Sequence, residues 1–193
     1  MDIKEPDIWL ELPNEKFKDS YIKAVIENVN NPVRNESDMH YNNIDLEIAK
    51  KDFYGHVILP RLNRMNKNTC PQDRKPQTDF WIIDADGYAG RIRVAHELDD
   101  FQKDNSGHIG YDIIPSKRGR GYVKKALLLA LDEANKMGIS EVIMSCGVDN
   151  IASKKAIENA IQIMGGKINK FFKYKGDGPD SILFTVNTKA NSI

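Results

Sequence analysis

The sequence predicts an α/β (α+β) fold in which helices flank a mixed β-sheet, and three observations support that prediction. Short stretches alternate apolar and polar residues, as strands do when one face is buried. Longer stretches repeat apolar residues at helical spacing. A complete helix also separates two strands, His108–Ile114 and Glu141–Cys146, so we expect a parallel pair in a right-handed βαβ unit.

The N-terminal part of the chain, residues 1–77, is predicted to be mainly helical. Ile8–Leu12 is a short strand, and Asn14–Val29 is an amphipathic helix. A second helix is predicted over Ile44–Asn66. Pro60 should end or kink this helix, because a proline inside a helix costs about 3 kcal/mol.

Residues 78–187 are predicted to alternate strands and helices. An Asp-Gly pair at Asp86–Gly87 indicates a hairpin turn, and Gly138 is predicted to cap the C-terminus of the long helix after His108–Ile114. The predicted elements are the strands Phe80–Asp84, Ala89–Glu97, His108–Ile114 and Glu141–Cys146, the helices Tyr122–Met137 and Ile151–Met164, and a terminal hairpin of Lys167–Tyr174 and Ser181–Asn187.

Length and composition exclude several classes of protein. The chain has 193 residues, long enough for one domain with a core and short for two, so we expect a single domain over 1–193. Its net charge is +0, which gives no general attraction to nucleic acid or to an anionic membrane. No apolar run reaches the roughly 18 residues of a membrane span, and the acidic start is unlike a signal peptide. Cys70 and Cys146 lack metal-ligand spacing, so we predict no metal and a cytoplasmic location.

A basic glycine loop, Arg118–Val123, follows the central strand and opens a helix. This arrangement directs free N–H groups and the positive end of a helix dipole at one point, as a phosphate site requires. A Walker A loop would end in Gly-Lys-Ser/Thr, and a dinucleotide fingerprint would need a third glycine, so neither fits. The remaining candidate is the R-x-x-G-x-G/A loop that binds the pyrophosphate of coenzyme A, with Arg118, Gly121 and Val123 at its named positions.

The segment GHIGYDIIPSKRGRGY, from Gly107 to Tyr122, resembles the signature of the GNAT superfamily of acyl-CoA-dependent N-acetyltransferases. The resemblance covers roughly Thr78 to Asn187 and is looser in the helical N-terminal third. Val123 departs from the family's usual glycine or alanine. The resemblance implies two splayed parallel strands with the pantetheine arm of acetyl-CoA between them. It also implies acetyl transfer to a primary amine, by direct attack within a ternary complex.

The resemblance further implies which residues bind acetyl-CoA. The backbone of the central strand would pair with pantetheine, and the loop would hold the pyrophosphate. Asn150 lies where the family often has an asparagine near the cofactor, and it is equally a candidate helix N-cap; the two interpretations are compatible. The expected cofactor-binding residues are Ile113, Ile114, Arg118, Gly119, Arg120, Gly121, Tyr122, Val123, Asn150 and Ser153.

The catalytic residues are harder to identify. Glu97 and His108 are the best polar candidates for a base near the expected cleft, although a solvated edge charge and a strand-capping histidine are equally ordinary interpretations. Tyr111 and Asp112 are further options, one on each face of the strand. The family's tyrosine acid is replaced by Ile157, so Tyr122 or water would have to substitute.

Two other functions are compatible with part of the sequence. A module that binds or senses acyl-CoA without turnover is favoured by Val123 and Ile157. A nucleic-acid surface around the RGRG run is disfavoured by the neutral charge and the isolated cluster. The acceptor, a small-molecule or peptide amine, has no recognisable sequence pattern. No nucleic-acid or membrane partner is expected, and the resemblance makes a homodimer possible.

Overall fold

The computed structural model describes residues 5–31, 44–172 and 180–189. Its strands and helices are, in order, β1 Trp9–Glu11, α1 Lys18–Asn30, α2 Leu46–Lys51, α3 Leu59–Met65, β2 Gln77–Asp84, β3 Gly87–Ala95, α4 Asp100–Asn105, β4 Ile109–Ile113, α5 Tyr122–Lys136, β5 Glu141–Gly147, α6 Ile151–Met164, β6 Gly166–Phe172 and β7 Ser181–Asn187. Short 3-10 turns cover Glu15–Phe17 and Pro115–Lys117, and a π-helical turn covers Tyr54–Ile58. The connection between the two predicted strands of the terminal hairpin, residues 173–179, lies outside the described residues.

The first sheet contains β1, β2, β3 and β4 in that order, and all its neighbours are antiparallel. Every residue of β2 is buried, because helices cover both faces of this sheet. The register places Gly90 opposite Ile113 and Val94 opposite Ile109. The C-terminal end of β4 therefore lies beside the β2–β3 hairpin turn.

The second sheet is antiparallel and has the order β5, β7, β6. An isolated bridge between Gly107 and Met144 links it to the first sheet. Beyond that bridge, no ladder joins β4 to β5 in the described parts of the chain. The helix between these strands is α5, as predicted. The expected parallel pairing of the two strands is not formed in the residues described, where a gap separates them.

Two hydrophobic cores lie on the two faces of the first sheet. One packs α5 on the first sheet and α6 on the second, with Leu127, Leu131 and Ile157 fully buried. The other packs the N-terminal helices on Trp81, whose ring stacks on that of Tyr21 with 4.9 Å between centroids. The same four strands thus have buried apolar residues on both faces.

The second predicted helix is divided at Asp52, eight residues before the proline at position 60. The carboxylate of Asp52 accepts the N–H of Gly55 at 2.8 Å, while its backbone leaves the helical region. Pro60 lies in the first turn of α3, where a missing N–H is tolerated. The helical backbone is nevertheless continuous from Phe53 to Met65, and it changes from the π-helical turn over Tyr54–Ile58 to the α-helix α3 just before Pro60. The predicted helix is therefore irregular next to the proline, whereas its actual break lies at Asp52.

Candidate active site

The glycine loop between β4 and α5 presents a row of backbone N–H groups. Gly119 and Gly121 have φ of +73° and +83°, in the left-handed region that favours glycine. The N–H of Arg118 donates to Pro115 O at 3.2 Å. The N–H groups of residues 119–123 make no hydrogen bond to any residue the structure describes. They are therefore open to a bound anion at the N-terminus of a 15-residue helix.

The backbone conformation, rather than crowding, requires these two glycines. A Cβ atom on Gly119 would meet nothing within 4 Å, and one on Gly121 would lie 3.5 Å from Pro6 Cδ. The space in front of the amides is consequently open. This geometry fits the requirement of a diphosphate for close approach to backbone N–H groups.

The cations around the loop have different partners. Arg118 turns back toward β4 and donates its Nε–H to Ile113 O at 2.8 Å. Lys124 pairs with Glu5 at 3.1 Å, and Lys125 donates to Pro6 O at 3.0 Å. Arg120 is exposed and makes no ion pair or hydrogen bond within the described ranges. Arg120 is thus the side chain of the loop best placed to meet a phosphate.

Tyr122 contributes to the site through its backbone alone. Its side chain is buried, and its hydroxyl donates to Asp84 Oδ2 at 2.6 Å. This hydroxyl is engaged inside the fold, which does not favour Tyr122 as the replacement for the missing acid. The N–H of Tyr122 remains one of the open amides.

The backbone of β4 determines which groups face the gap. Ile114 N–H donates to Ala89 O at 3.0 Å, and Ala95 N–H donates to His108 O at 2.8 Å. Because alternate residues of a strand point their polar groups to opposite sides, those of Ile109, Tyr111 and Ile113 face away from β3, toward the gap.

This alternation corrects one of the two predicted pantetheine contacts. Both backbone groups of Ile114 are engaged, since its carbonyl also accepts the N–H of Lys117 at 3.0 Å. Ile114 is therefore unavailable to a ligand. Ile113 keeps its N–H for the gap, while its carbonyl accepts from Arg118. The strand period of two could have revealed this, and also the gap-facing backbone of Tyr111, once β3 was known to be the neighbour.

His108 joins the two sheets where the gap begins. Its N–H donates to Ile143 O at 2.7 Å, and its Nδ1 accepts the N–H of Ile143 at 2.9 Å. Burial lowers the pKa of His108, so the ring is neutral with its proton on Nε2. The lone pair of Nδ1, which a base would need, is already used to accept the N–H of Ile143. This hydrogen bonding does not favour His108 as a general base.

Glu97 lies beyond the end of β3, at the opposite end of the β3–β4 pair from the glycine loop. It is exposed and pairs with Lys75 at 3.6 Å. It borders an open surface pocket together with His96, whose Nε2 is 2.8 Å from Thr78 Oγ1. The structure therefore does not bring Glu97 together with the loop.

Tyr111 connects β4 to the start of α6. Its hydroxyl lies 2.7 Å from Ser153 Oγ, and burial raises the pKa of Tyr111 to about 12. Asn150 accepts the N–H of Ser153 at 3.1 Å, so its side chain caps α6. Ile157 is fully buried one turn further on. A protonated phenol and a serine hydroxyl thus lie together near the gap. Ser153 is among the predicted cofactor contacts, whereas Tyr111 is predicted only as a further catalytic option.

Other kinds of site are not found in the described part of the chain. No group of three or more His, Cys, Asp or Glu residues there could hold a metal ion. None of the helices in the described ranges is long and apolar enough to cross a membrane.

Comparison with solved structures identifies proteins of similar fold. The ribosomal L7/L12 alpha-N-protein acetyltransferase RimL, solved with coenzyme A, is 17% identical, covers 95% of this chain and 96% of its own, and has a TM-score of 0.62. The microcin C7 self-immunity acetyltransferase MccE, solved with acetyl-CoA and AMP, is 16% identical, with coverages of 97% and 95% and a TM-score of 0.64. A chimeric spermidine N-acetyltransferase SpeG from Vibrio cholerae and hSSAT is 13% identical, with coverages of 94% and 95% and a TM-score of 0.58.

No curated protein sequence matches the chain. The family model described as "Acetyltransferase (GNAT) domain" matches residues 36–160. The match begins well before residue 78, so the resemblance reaches further into the helical N-terminal third than the sequence motifs suggest. Because it spans more than half of the sequence, the chain belongs to the GNAT acetyltransferase family.

Proposed function

We propose that the protein is an N-acetyltransferase that transfers the acetyl group of acetyl-CoA to a primary amine. The observation that carries the proposal is the row of open N–H groups over residues 119–123, beside the gap between β4 and β5. The solved structures of RimL and MccE with coenzyme A or acetyl-CoA support the choice of cofactor.

The residues present fit this cofactor in two places. The open amides and Arg120 would bind the diphosphate, through N–H donors, the helix dipole and one free cation. The gap-facing backbone of Tyr111 and Ile113 would pair with the amides of pantetheine as an added strand does. Asn150 and Ser153 border the same gap at the start of α6.

Acetyl-CoA, when bound, supplies an activated acetyl group as a thioester. A free alkylamine has a pKa of about 10.4 and is therefore protonated at neutral pH. The acceptor amine must lose that proton before it attacks. The thiolate that leaves needs a proton. Tyr111 can supply it, since its phenol is protonated at neutral pH and its hydroxyl is oriented by Ser153.

The acceptor belongs to the class of amines. RimL is named for a protein α-amino group and SpeG for spermidine, so both peptide and polyamine acceptors occur among proteins of this fold. A cytoplasmic location is part of the proposal, supported by the two free cysteines, Cys70 and Cys146.

A Gly121→Glu variant tests the binding site. The carboxylate would add bulk and negative charge in front of the amides, so we expect calorimetry to detect no CoA binding. Gly138→Glu is the matched control, because Gly138 has φ of +84°, open space around its Cβ position, and a place at the other end of α5. Unchanged CoA affinity in folded Gly121→Glu protein would contradict the site.

A second candidate function is an acyl-CoA-binding module without turnover, favoured by the buried Ile157 in place of the family's tyrosine. Thiol release from acetyl-CoA with a panel of peptide and polyamine acceptors distinguishes the two. Release with at least one amine supports the transferase. CoA binding without release for any amine supports the module.

A further inference from the structure

Asp84, at the end of β2, binds three groups with one carboxylate. Its Oδ2 accepts the hydroxyl of Tyr122 at 2.6 Å and the ammonium of Lys117 at 2.8 Å. Its Oδ1 accepts the N–H of Asp86 at 2.8 Å, which fixes the carboxylate to the hairpin turn. The side chains of Asp84 and Lys117 are only 8% and 13% exposed, so this ion pair is shielded from water.

The two side chains that Asp84 holds stand at the two ends of the glycine loop. Lys117 ends the 3-10 turn after β4, and Tyr122 is the first residue of α5. The residues between them, 118–121, have two glycines in the left-handed region and few restraints of their own. A single carboxylate therefore sets the separation and orientation of both ends of the loop.

This contact decides the role of Lys117. The basic run from Lys117 to Arg120 looks like a set of phosphate ligands, but Lys117 is neutralised by Asp84 and also by Asp86 at 2.5 Å. Burial acts to raise the pKa of Asp84, yet the hydrogen bonds from Lys117 and Tyr122 hold that pKa below its ordinary value. The carboxylate is ionised at neutral pH, and Lys117 is an internal anchor.

We propose that Asp84 is a positioning residue for acetyl-CoA binding. Through Lys117 and Tyr122 it holds the loop open, so that the N–H groups of residues 119–123 converge on the diphosphate without first having to be ordered. The proposal rests on the function proposed above. It assigns a role in affinity to a residue that touches no part of the cofactor.

The test compares Asp84→Asn and Tyr122→Phe with the wild-type protein, using two acetyl donors. Acetyl-CoA carries the diphosphate, whereas S-acetylpantetheine lacks it and gains nothing from an ordered loop. Loss of a charge-assisted hydrogen bond predicts that kcat/KM for acetyl-CoA falls about tenfold or more in Asp84→Asn, mainly through KM. In the same variant, kcat/KM for S-acetylpantetheine should change by less than about twofold.

Asp73→Asn is the matched control, because it removes an exposed carboxylate that pairs with Arg74 at 3.9 Å, and we expect it to behave as wild type. Equal losses with both donors would show a general structural defect and overturn the proposal. Unchanged KM for acetyl-CoA in folded Asp84→Asn would also overturn it, with the proposed function intact. Wild-type protein that neither binds CoA nor uses acetyl-CoA would overturn the proposed function and this inference together.

Discussion

Tyr111 is the residue where the strand, the gap and α6 meet. Its backbone faces the gap, and its hydroxyl lies 2.7 Å from Ser153 Oγ in the first turn of the helix. Buried phenols resist ionisation, which raises the pKa of Tyr111 to about 12. The side chain is thus kept protonated where a leaving thiolate would need an acid.

At the scale of one residue, we predict that removing the phenol hydroxyl of Tyr111 slows turnover. Tyr111→Phe should lower kcat about tenfold or more, because a general acid is lost while the ring and the backbone remain. The KM for acetyl-CoA should stay within about twofold of wild type. Steady-state kinetics with a range of acetyl-CoA concentrations measure both values.

Tyr54→Phe is the control for this change, since Tyr54 is an exposed tyrosine on the π-helical turn. An unaltered kcat in Tyr111→Phe would remove the phenol from the mechanism. A proportional loss of kcat in both variants would do the same.

At the scale of elements, the two sheets are joined at His108 and separate beyond it. The ring and backbone of His108 bond both polar groups of Ile143, and the Gly107–Met144 bridge is adjacent. Because β4 and β5 share no ladder further along in the described residues, the backbone of each is left facing the gap. The joint therefore sets where the gap begins.

Titration of His108 in this joint, together with that of His96, makes the stability of the fold depend on pH. Burial lowers the pKa values of His108 and His96 below the ordinary value of about 6.5, so the folded protein binds fewer protons than the unfolded chain. Their contribution to stability is complete above that pH and is lost as the pH falls toward the folded-state pKa values. We expect the free energy of unfolding in urea to decrease between about pH 6.5 and pH 5.

His108→Gln should make that decrease shallower, because one of the two titrating rings is gone. His56→Gln is its control, since His56 is a half-buried residue of the π-helical turn, away from the joint, and accepts the N–H of Asp45 at 3.2 Å. A free energy of unfolding that is constant or rises across this pH interval would refute the assignment.

Local patterns in the sequence predict most elements and the glycine loop. Strand alternation and helical spacing identify β4, α5 and α6, because each signal lies within a few consecutive residues. The capping box of Asp99 and Gln102, which begins α4, is also local but is hidden within a polar run. The break at Asp52 depends on one side chain competing with the helix for the N–H of Gly55.

Contacts between distant parts of the chain were not predictable. The roles of His108, Asp84 and Tyr122 depend on partners that are 35 or 38 positions away. The engaged state of Ile114 depends on β3 lying on a particular side of β4. A single sequence specifies the kinds of residue in the site, whereas the neighbours that use up their hydrogen-bonding groups come from tertiary structure.

At the scale of the whole molecule, the glycine loop is held by parts of the chain far apart in sequence. Asp84 binds it from the hairpin, and Glu27 at the end of α1 accepts both the N–H and the hydroxyl of Ser116. Pro6 and its acidic neighbours contact the start of α5. The cores on both faces of the first sheet make these attachments one packed structure, so the loop is ordered before any ligand arrives.

The most direct measurement is a titration of 15N-labelled protein with CoA, followed through its backbone amide resonances. If the open amides bind the diphosphate, the resonances of residues 119–123 should shift most, and those of Gly119 and Gly121 should be among them. Pantetheine, which has no diphosphate, should leave these resonances in place. Binding of CoA with no shift at Gly119 or Gly121, or no binding at all, would contradict the account.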